Sequence, residues 1–412
     1  MSLILTSLAF KAISARFKLF PLLKGGTIED MRIKERPEEF VVYEVADITP
    51  EGQGEHALYR LVKRGATTWD VLGDVARRLR LRADALKYGG LKDRQALSFQ
   101  FITIKHGPRK DLQGKNYRLE YLGQTTQPMS KARLLGNRFR ILVKGVSTAH
   151  LSQEVPRVKR WGVVNYFDEQ RFGSVRQGQG FAAREIILGN YERALYLMLV
   201  EGSQYEMART RKFRACLRKS WPQVGDCLAL SPSPWEKRLL EFLRQHRPSK
   251  RTFKRALALV DKEYLLLLCQ AYQAYIWNET TKLYLQSLGL ELFSIPYLLG
   301  ELLFYRSIPE GLWKTIAQQK LPLPSPRLRL DPPFKVLMES VLKKEGIESL
   351  HKFRSLVKGA LFKTYPRPLV VIPEGLTYET VGPEQVWVEF FLPKGSYATI
   401  VLRRLFGLNP ER

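Results

Sequence analysis

The stretch Tyr88-Gly89-Gly90-Leu91-Lys92-Asp93-Arg94-Gln95-Ala96 sets one carboxylate between two cations directly after a double glycine. A bare Lys-Asp-Arg triplet is usually a solvated charged turn. The alternative is that neighbouring positive charge keeps Asp93 ionised, as a nucleophile or base must be, while Lys92 and Arg94 face phosphates. In an extended segment Asp93 points opposite both neighbours, so the carboxylate can enter a pocket while the cations face a groove. Upstream, Phe40 to Val45 and Ala57 to Lys63 alternate as strands about a Gly52-Gln53-Gly54 turn. From Thr68 onward, Val71, Leu72, Val75, Ala76 and Leu79 recur at helical spacing, with Thr67 or Thr68 as N-cap. Arg77, Arg78, Arg80 and Arg82 give that helix a basic end. Downstream, Ala96 to Ile104, Tyr117 to Leu122 and Phe139 to Val143 read as further strands.

The pattern then changes. Tyr191 to Val200, Trp235 to Arg244, Lys262 to Leu288 and Phe334 to Lys344 read as helices, interrupted by Pro-rich joints at Leu321 to Pro333 and Tyr365 to Pro368. A strand returns at Val386 to Phe391, followed by Pro393-Lys394-Gly395 and a helical segment from Tyr397. A lone C-terminal strand needs a partner sheet to bury its faces, so the order predicts a sheet domain split by an insertion.

The 412 residues carry 67 Lys+Arg against 40 Asp+Glu, a formal charge of +27. With 45% hydrophobic residues the chain can build packed cores, and the charge favours a polyanionic partner. A membrane is the weaker candidate: no apolar run approaches the roughly 18 residues a span needs. Three cysteines, Cys216, Cys227 and Cys269, form no CxxC pair. Their odd number suits a reducing compartment and argues against a disulfide framework and a zinc site. Gly52-Gln53-Gly54-Glu55-His56-Ala57 leads into a strand where a dinucleotide loop needs a helix, and no phosphate loop, GxSxG elbow or deaminase zinc motif is present. We therefore expect no cofactor and no metal. Residues 1 to 28 carry four cations and no acid, which fits a targeting segment, a start placed too far upstream of Met31 or, the preferred reading, an unstructured extension over 1–30.

The segment around Asp93 resembles the signature loop of the TruD family of tRNA pseudouridine synthases, a Gly-x-Lys-Asp-Arg/Lys run that holds the family's essential aspartate. Five more blocks resemble the family in the same order. They are Pro37-Glu38-Glu39-Phe40-Val41-Val42-Tyr43-Glu44, Gly52-Gln53-Gly54-Glu55-His56, Gly136-Asn137-Arg138-Phe139, Asn165-Tyr166-Phe167-Asp168-Glu169-Gln170-Arg171-Phe172-Gly173, and Phe391-Leu392-Pro393-Lys394-Gly395-Ser396-Tyr397-Ala398-Thr399. The resemblance implies an α+β fold, a mixed-sheet catalytic domain over 31–161 plus 365–412, and an inserted helix-rich TRUD domain over 162–364. It implies isomerisation of uridine to pseudouridine, at position 13 of tRNA, without cofactor.

By the same resemblance Asp93 is the catalytic aspartate; attack on the sugar, addition to the base and abstraction of a ribose proton all remain open for it, and all need the ionised form. The uridine must leave its stack to reach Asp93, so aromatic surfaces and amide-like partners are required. Phe40, Phe139 and Tyr397 match the family's aromatic positions and Asn137 its pocket asparagine. On pattern alone Phe40 and Phe139 read equally well as core, and Asn137 as a turn residue. Lys34, Lys92, Arg94 and Arg171 are the expected RNA contacts. Asp168 stands where the family usually has glycine, which predicts a local backbone adjustment. A non-catalytic RNA-binding or tRNA-folding protein on the same scaffold is the competing reading. In either case the expected partner is tRNA, met in the cytoplasm by a monomer.

Overall fold

Nine strands, most of them alternating between a buried and a more exposed phase, make the main sheet of the computed structural model, which describes residues 31–407 except 174, 176–179, 202–206, 355, 356 and 358. The extension expected over 1–30 lies outside the described residues. Among those described, one unit takes the chain up to Asn165 together with the chain from Val370, and a second spans Tyr166–Leu369.

In the first unit the strands are β1 Phe40–Ala46, β2 His56–Arg64, β3 Leu86–Tyr88, β4 Leu97–Lys105, β5 Leu112–Gln113, β6 Tyr117–Thr125, β7 Leu134–Lys144, β8 Glu374–Gly382 and β9 Gln385–Pro393. Their order is β8-β9-β7-β1-β4-β2-β6-β5, with β3 paired to β4. β1 and β4 run parallel, and β1 and β7 antiparallel, so the sheet is mixed. The C-terminal strand finds the partner it needs in β7, in unbroken register from Gln385 opposite Lys144 to Pro393 opposite Gly136. Gly136 permits that register: a Cβ there would come 2.2 Å from the Leu392 carbonyl oxygen and 2.5 Å from the Phe391 ring.

One face of the sheet is covered at two places. The helix Thr68–Arg78 starts at Thr67, whose hydroxyl accepts from the Asp70 amide while the Asp70 carboxylate accepts from the Thr67 amide. It lays Val71, Leu72 and Val75 against Tyr59, Leu61, Ile102, Ile104 and Leu119. Further along, the helices Leu151–Trp161 and Ala398–Phe406 are joined by a buried ion pair, Arg404 Nη1 to Glu154 Oε2 at 2.6 Å. Beyond the first helix the phase of Ile102 and Ile104 turns polar, with Gln100 and Ser98 buried.

The second unit is built around the 26-residue helix Lys262–Ser287, buried on most of its circumference and capped by the Asp261 carboxylate, which accepts from the Glu263 and Tyr264 amides. A hairpin of Leu292–Tyr297 and Gly300–Tyr305 and the helix Phe334–Lys344 pack against it. Trp277 on this helix is fully buried and its indole donates to the Leu321 carbonyl at 2.8 Å.

Asp168 has φ −95° and ψ 172°, extended backbone open to any residue. One expectation needs correction. Cys216 and Cys227 form a disulfide with Cα atoms 5.8 Å apart, because the end of the helix Ala208–Ser220 folds back on the turn Gly225–Leu230. Cys269 is the free thiol among the described residues, and burial pushes it up to about 12. No helix among the described residues is long and apolar enough to cross a membrane.

Candidate active site

Asp93 lies in the connection between β3 and β4, which pair antiparallel. A ring of hydrogen bonds fixes this loop. The Lys92 amide donates to Thr68 Oγ1 at 3.0 Å, the Thr68 hydroxyl donates to Gln100 Oε1 at 2.9 Å, and Gln100 Nε2 donates to the Gly90 carbonyl at 3.3 Å. Thr68 and Gln100 are fully buried, so each bond replaces water that is excluded. The Lys63 ammonium donates to the Asp93 carbonyl at 2.6 Å and to the Ala66 carbonyl at 2.9 Å. Burial pushes Lys63 down to about 8, partly opposed by the nearby Asp93 carboxylate.

The Asp93 carboxylate is paired through Oδ2 with Lys34 Nζ at 2.6 Å, and Asp93 keeps 24% of its side chain exposed. Lys34 has φ +61° and places the same ammonium 4.0 Å from the centre of the Phe40 ring. Phe40 meets Phe139 edge to face with centroids 6.1 Å apart, and Phe139 lies 5.7 Å from Phe390. Beside this aromatic group Asn137 stands opposite Glu44 on one side and Leu392 on the other. Its Oδ1 is buried without a hydrogen-bond partner among the described residues. A buried acceptor with no donor is costly, which marks the position as one that a ligand can satisfy.

Lys34 and Lys92 are not the groove-facing cations expected of them. Their side chains are each 6% exposed; Lys34 neutralises Asp93, and Lys92 forms an ion pair with Glu44, whose side chain is fully buried. Glu44 Oε1 also accepts from the Phe101 amide at 3.1 Å. A buried and a largely buried carboxylate demand counter-charge, and these lysines supply it. Arg94 alone of the triplet stays at the surface, its Nε donating to the Gly65 carbonyl at 3.2 Å. Tyr397 is half-buried at the N-terminus of the helix Ala398–Phe406. Arg171 belongs to the second unit, where its guanidinium donates to Gln270 at 3.1 Å and lies 5.6 Å from the Phe167 ring. The double glycine has no left-handed residue, so its flexibility is not what shapes the loop.

The sequence reading missed Lys63, Glu44, Thr68 and Gln100 as site residues. Three of them carried a signal. Lys63 shares its strand phase with Ala57, Tyr59 and Leu61, Glu44 with Phe40 and Val42, and Gln100 with Ile102 and Ile104. A polar residue in the buried phase of a strand must have a partner waiting.

A family model described as tRNA pseudouridine synthase D (TruD) matches residues 24–291 and 317–405. The chain is 29% identical over 388 residues to the tRNA pseudouridine synthase D of Aquifex aeolicus, covering 92% of this chain and 98% of that one. It is also 29% identical over 391 residues to a Methanococcus maripaludis protein named "Probable tRNA pseudouridine synthase D 1", covering 92% of this chain and all of the other. A solved Methanosarcina mazei structure, again with the TruD name, superposes with a TM-score of 0.69 at 21% identity over 97% of this chain and 98% of that one, which establishes the shared fold.

Proposed function

Since the chain belongs to the tRNA pseudouridine synthase D (TruD) family, we propose that it isomerises uridine 13 of tRNA to pseudouridine with Asp93 as the catalytic carboxylate. The observation that carries this reading is the placement of Asp93: ion-paired to a lysine that sits over Phe40, partly exposed, and held by backbone bonds on both sides of it. The reaction breaks the bond from uracil N1 to the ribose and joins the ribose to C5. The C5 hydrogen leaves as a proton and N1 takes one, so no electrons are exchanged with another molecule. An enzyme for it needs no redox group or metal, only a pocket that holds the base and a carboxylate beside it.

In this reading the residues around Asp93 form that pocket, and Phe40 and Phe139, buried before the base arrives, must part to admit it. The flipped uracil lies against the Phe40 and Phe139 rings. Its N3–H gives the unpartnered Asn137 Oδ1 the donor it lacks. In this reading the protein works on tRNA as a monomer in the cytoplasm.

The test uses tRNA tritiated at uridine C5. The wild-type chain is expected to release label, a transcript with cytidine at position 13 to lose that release, and Asp93→Asn to bind the tRNA without releasing any. No release by the wild type removes the enzymatic assignment and leaves an RNA-binding scaffold. Release from the cytidine-13 transcript overturns the position, and release by Asp93→Asn overturns the role of Asp93.

A further inference from the structure

A second feature suited to RNA lies wholly within the unit Tyr166–Leu369. The helices Tyr191–Leu199 and Lys250–Leu257 begin on either side of a cavity of about 600 Å³, which falls within the roughly 300–1,000 Å³ of small-molecule sites. Its walls are aromatic. Trp221 lies nearly parallel to Phe253 with centroids 6.4 Å apart, and meets Tyr196 edge to face at 5.9 Å. Trp221 and Tyr196 keep part of their surface exposed. The Trp221 indole donates to the Glu192 carboxylate at 3.3 Å, which orients its ring. At the rim stand two exposed cations, Lys250 and Arg193, the latter 5.1 Å from the Tyr196 ring. Glu192 is the one acid of the lining, so the rim is net positive.

We infer that this cavity is an accessory nucleotide site, in which an unpaired base of the bound RNA stacks on Trp221 while its phosphate meets Lys250 and Arg193. The chemistry favours a nucleotide over a peptide segment. An aromatic floor takes any base by its π face, and cations beside it match the phosphate that every nucleotide carries. The first residues of both helices, Tyr191 and Lys250, line the cavity. The disulfide Cys216–Cys227 closes the short loop that bears Trp221, so the stacking surface is preorganised. The inference rests on the reading of RNA as substrate, but not on the identity of the reaction.

The test uses the full chain and intact tRNA. Trp221→Ala and Lys250→Glu are each expected to raise the Kd and KM for tRNA about tenfold, the loss of one base stack or phosphate contact, with kcat unchanged. Trp221→Phe keeps a stacking face and should bind within about twofold of the wild type. Photocrosslinking of bound tRNA should label the peptide that contains Trp221. Should Trp221→Ala fail to fold, Lys250→Glu and the crosslink decide, since Lys250 is exposed. Wild-type affinity in Lys250→Glu together with no crosslink at Trp221 overturns the site and opens the cavity to another ligand. A crosslink and weakened binding in a chain that releases no tritium would keep the site and remove only the enzymatic reading.

Discussion

Lys63 carries an ammonium into the buried phase of β2, where it ties the Asp93 carbonyl to the end of its own strand. Its pKa of about 8 lies below the ordinary 10.5 because burial penalises the charge. The sign follows from linkage: the unfolded chain binds this proton more tightly, so the cost of burying it is complete below about pH 8 and fades as pH rises to about 10.5. The shift corresponds to about 3 kcal/mol. Lys63→Met removes the desolvated charge but leaves two carbonyls without a donor, at roughly 1–3 kcal/mol each, so its stability at neutral pH is expected to be equal or lower. The diagnostic quantity is the difference in urea midpoint between wild type and variant, which should move in favour of the wild type from pH about 8 upward. At saturating tRNA the same variant should lower kcat about tenfold or more, because a charge-assisted bond of roughly 1.5–3 kcal/mol no longer holds the Asp93 backbone. KM should hardly change. An unchanged kcat would show that the ring through Thr68 and Gln100 positions Asp93 without Lys63.

At the scale of elements, the ion pair between Glu154 and Arg404 joins a helix that precedes the inserted unit to the last helix of the chain. Burial alone would raise Glu154, but the Arg404 and Arg157 guanidiniums, at 2.6 and 2.5 Å, outweigh it and hold the carboxyl below its usual range. Its contribution is therefore complete above the ordinary carboxylate value of 4.5 and is lost as pH falls through the lower folded value. Glu154→Gln takes the Glu154 charge away from the buried Arg404 guanidinium, and should cost up to about 3–5 kcal/mol in urea unfolding at neutral pH, with the gap from wild type closing in acid. A gap independent of pH would assign the loss to packing instead. The two helices of this pair were not equally legible. The segment from Tyr397 shows its start after Pro393-Lys394-Gly395, whereas Leu151–Trp161 holds Pro156 in its interior, a residue that on pattern ends helices. The strands β1, β2 and β4 and the helix Thr68–Arg78 were readable because alternation and capping are local. Strand β3 is three residues long, and the hairpin Leu292–Tyr297 with Gly300–Tyr305 contains Pro296, so neither offers a period to count. The candidate site was half legible for a related reason. Its polar residues could be found by motif or by strand phase, but which cations turn inward depends on Lys92 reaching Glu44 and Lys34 reaching Asp93, contacts between residues 48 and 59 positions apart that no local pattern encodes.

For the whole molecule, a formal charge of +27 makes affinity for RNA a function of salt. With six or more phosphate contacts, tRNA binding should weaken by roughly 10³-fold between about 50 and 200 mM monovalent salt. The buried pairs restrict which cations contribute. Lys34 and Lys92 are neutralised by Asp93 and Glu44 before any RNA arrives, so Lys92→Met should leave the slope of log Kd against log salt unaltered even though it disturbs the loop and lowers kcat. Arg94, at the surface two residues further on, is a different case: Arg94→Gln should reduce the slope by about one phosphate contact and weaken binding similarly for every tRNA sequence. Asp93→Asn should retain the wild-type slope, since the lost carboxylate faces Lys34 and not a phosphate. Filter binding across a salt series separates these outcomes. A reduced slope in Lys92→Met would mean that the Glu44 pair opens when RNA binds, and that the triplet delivers two cations to the backbone where the structure offers one.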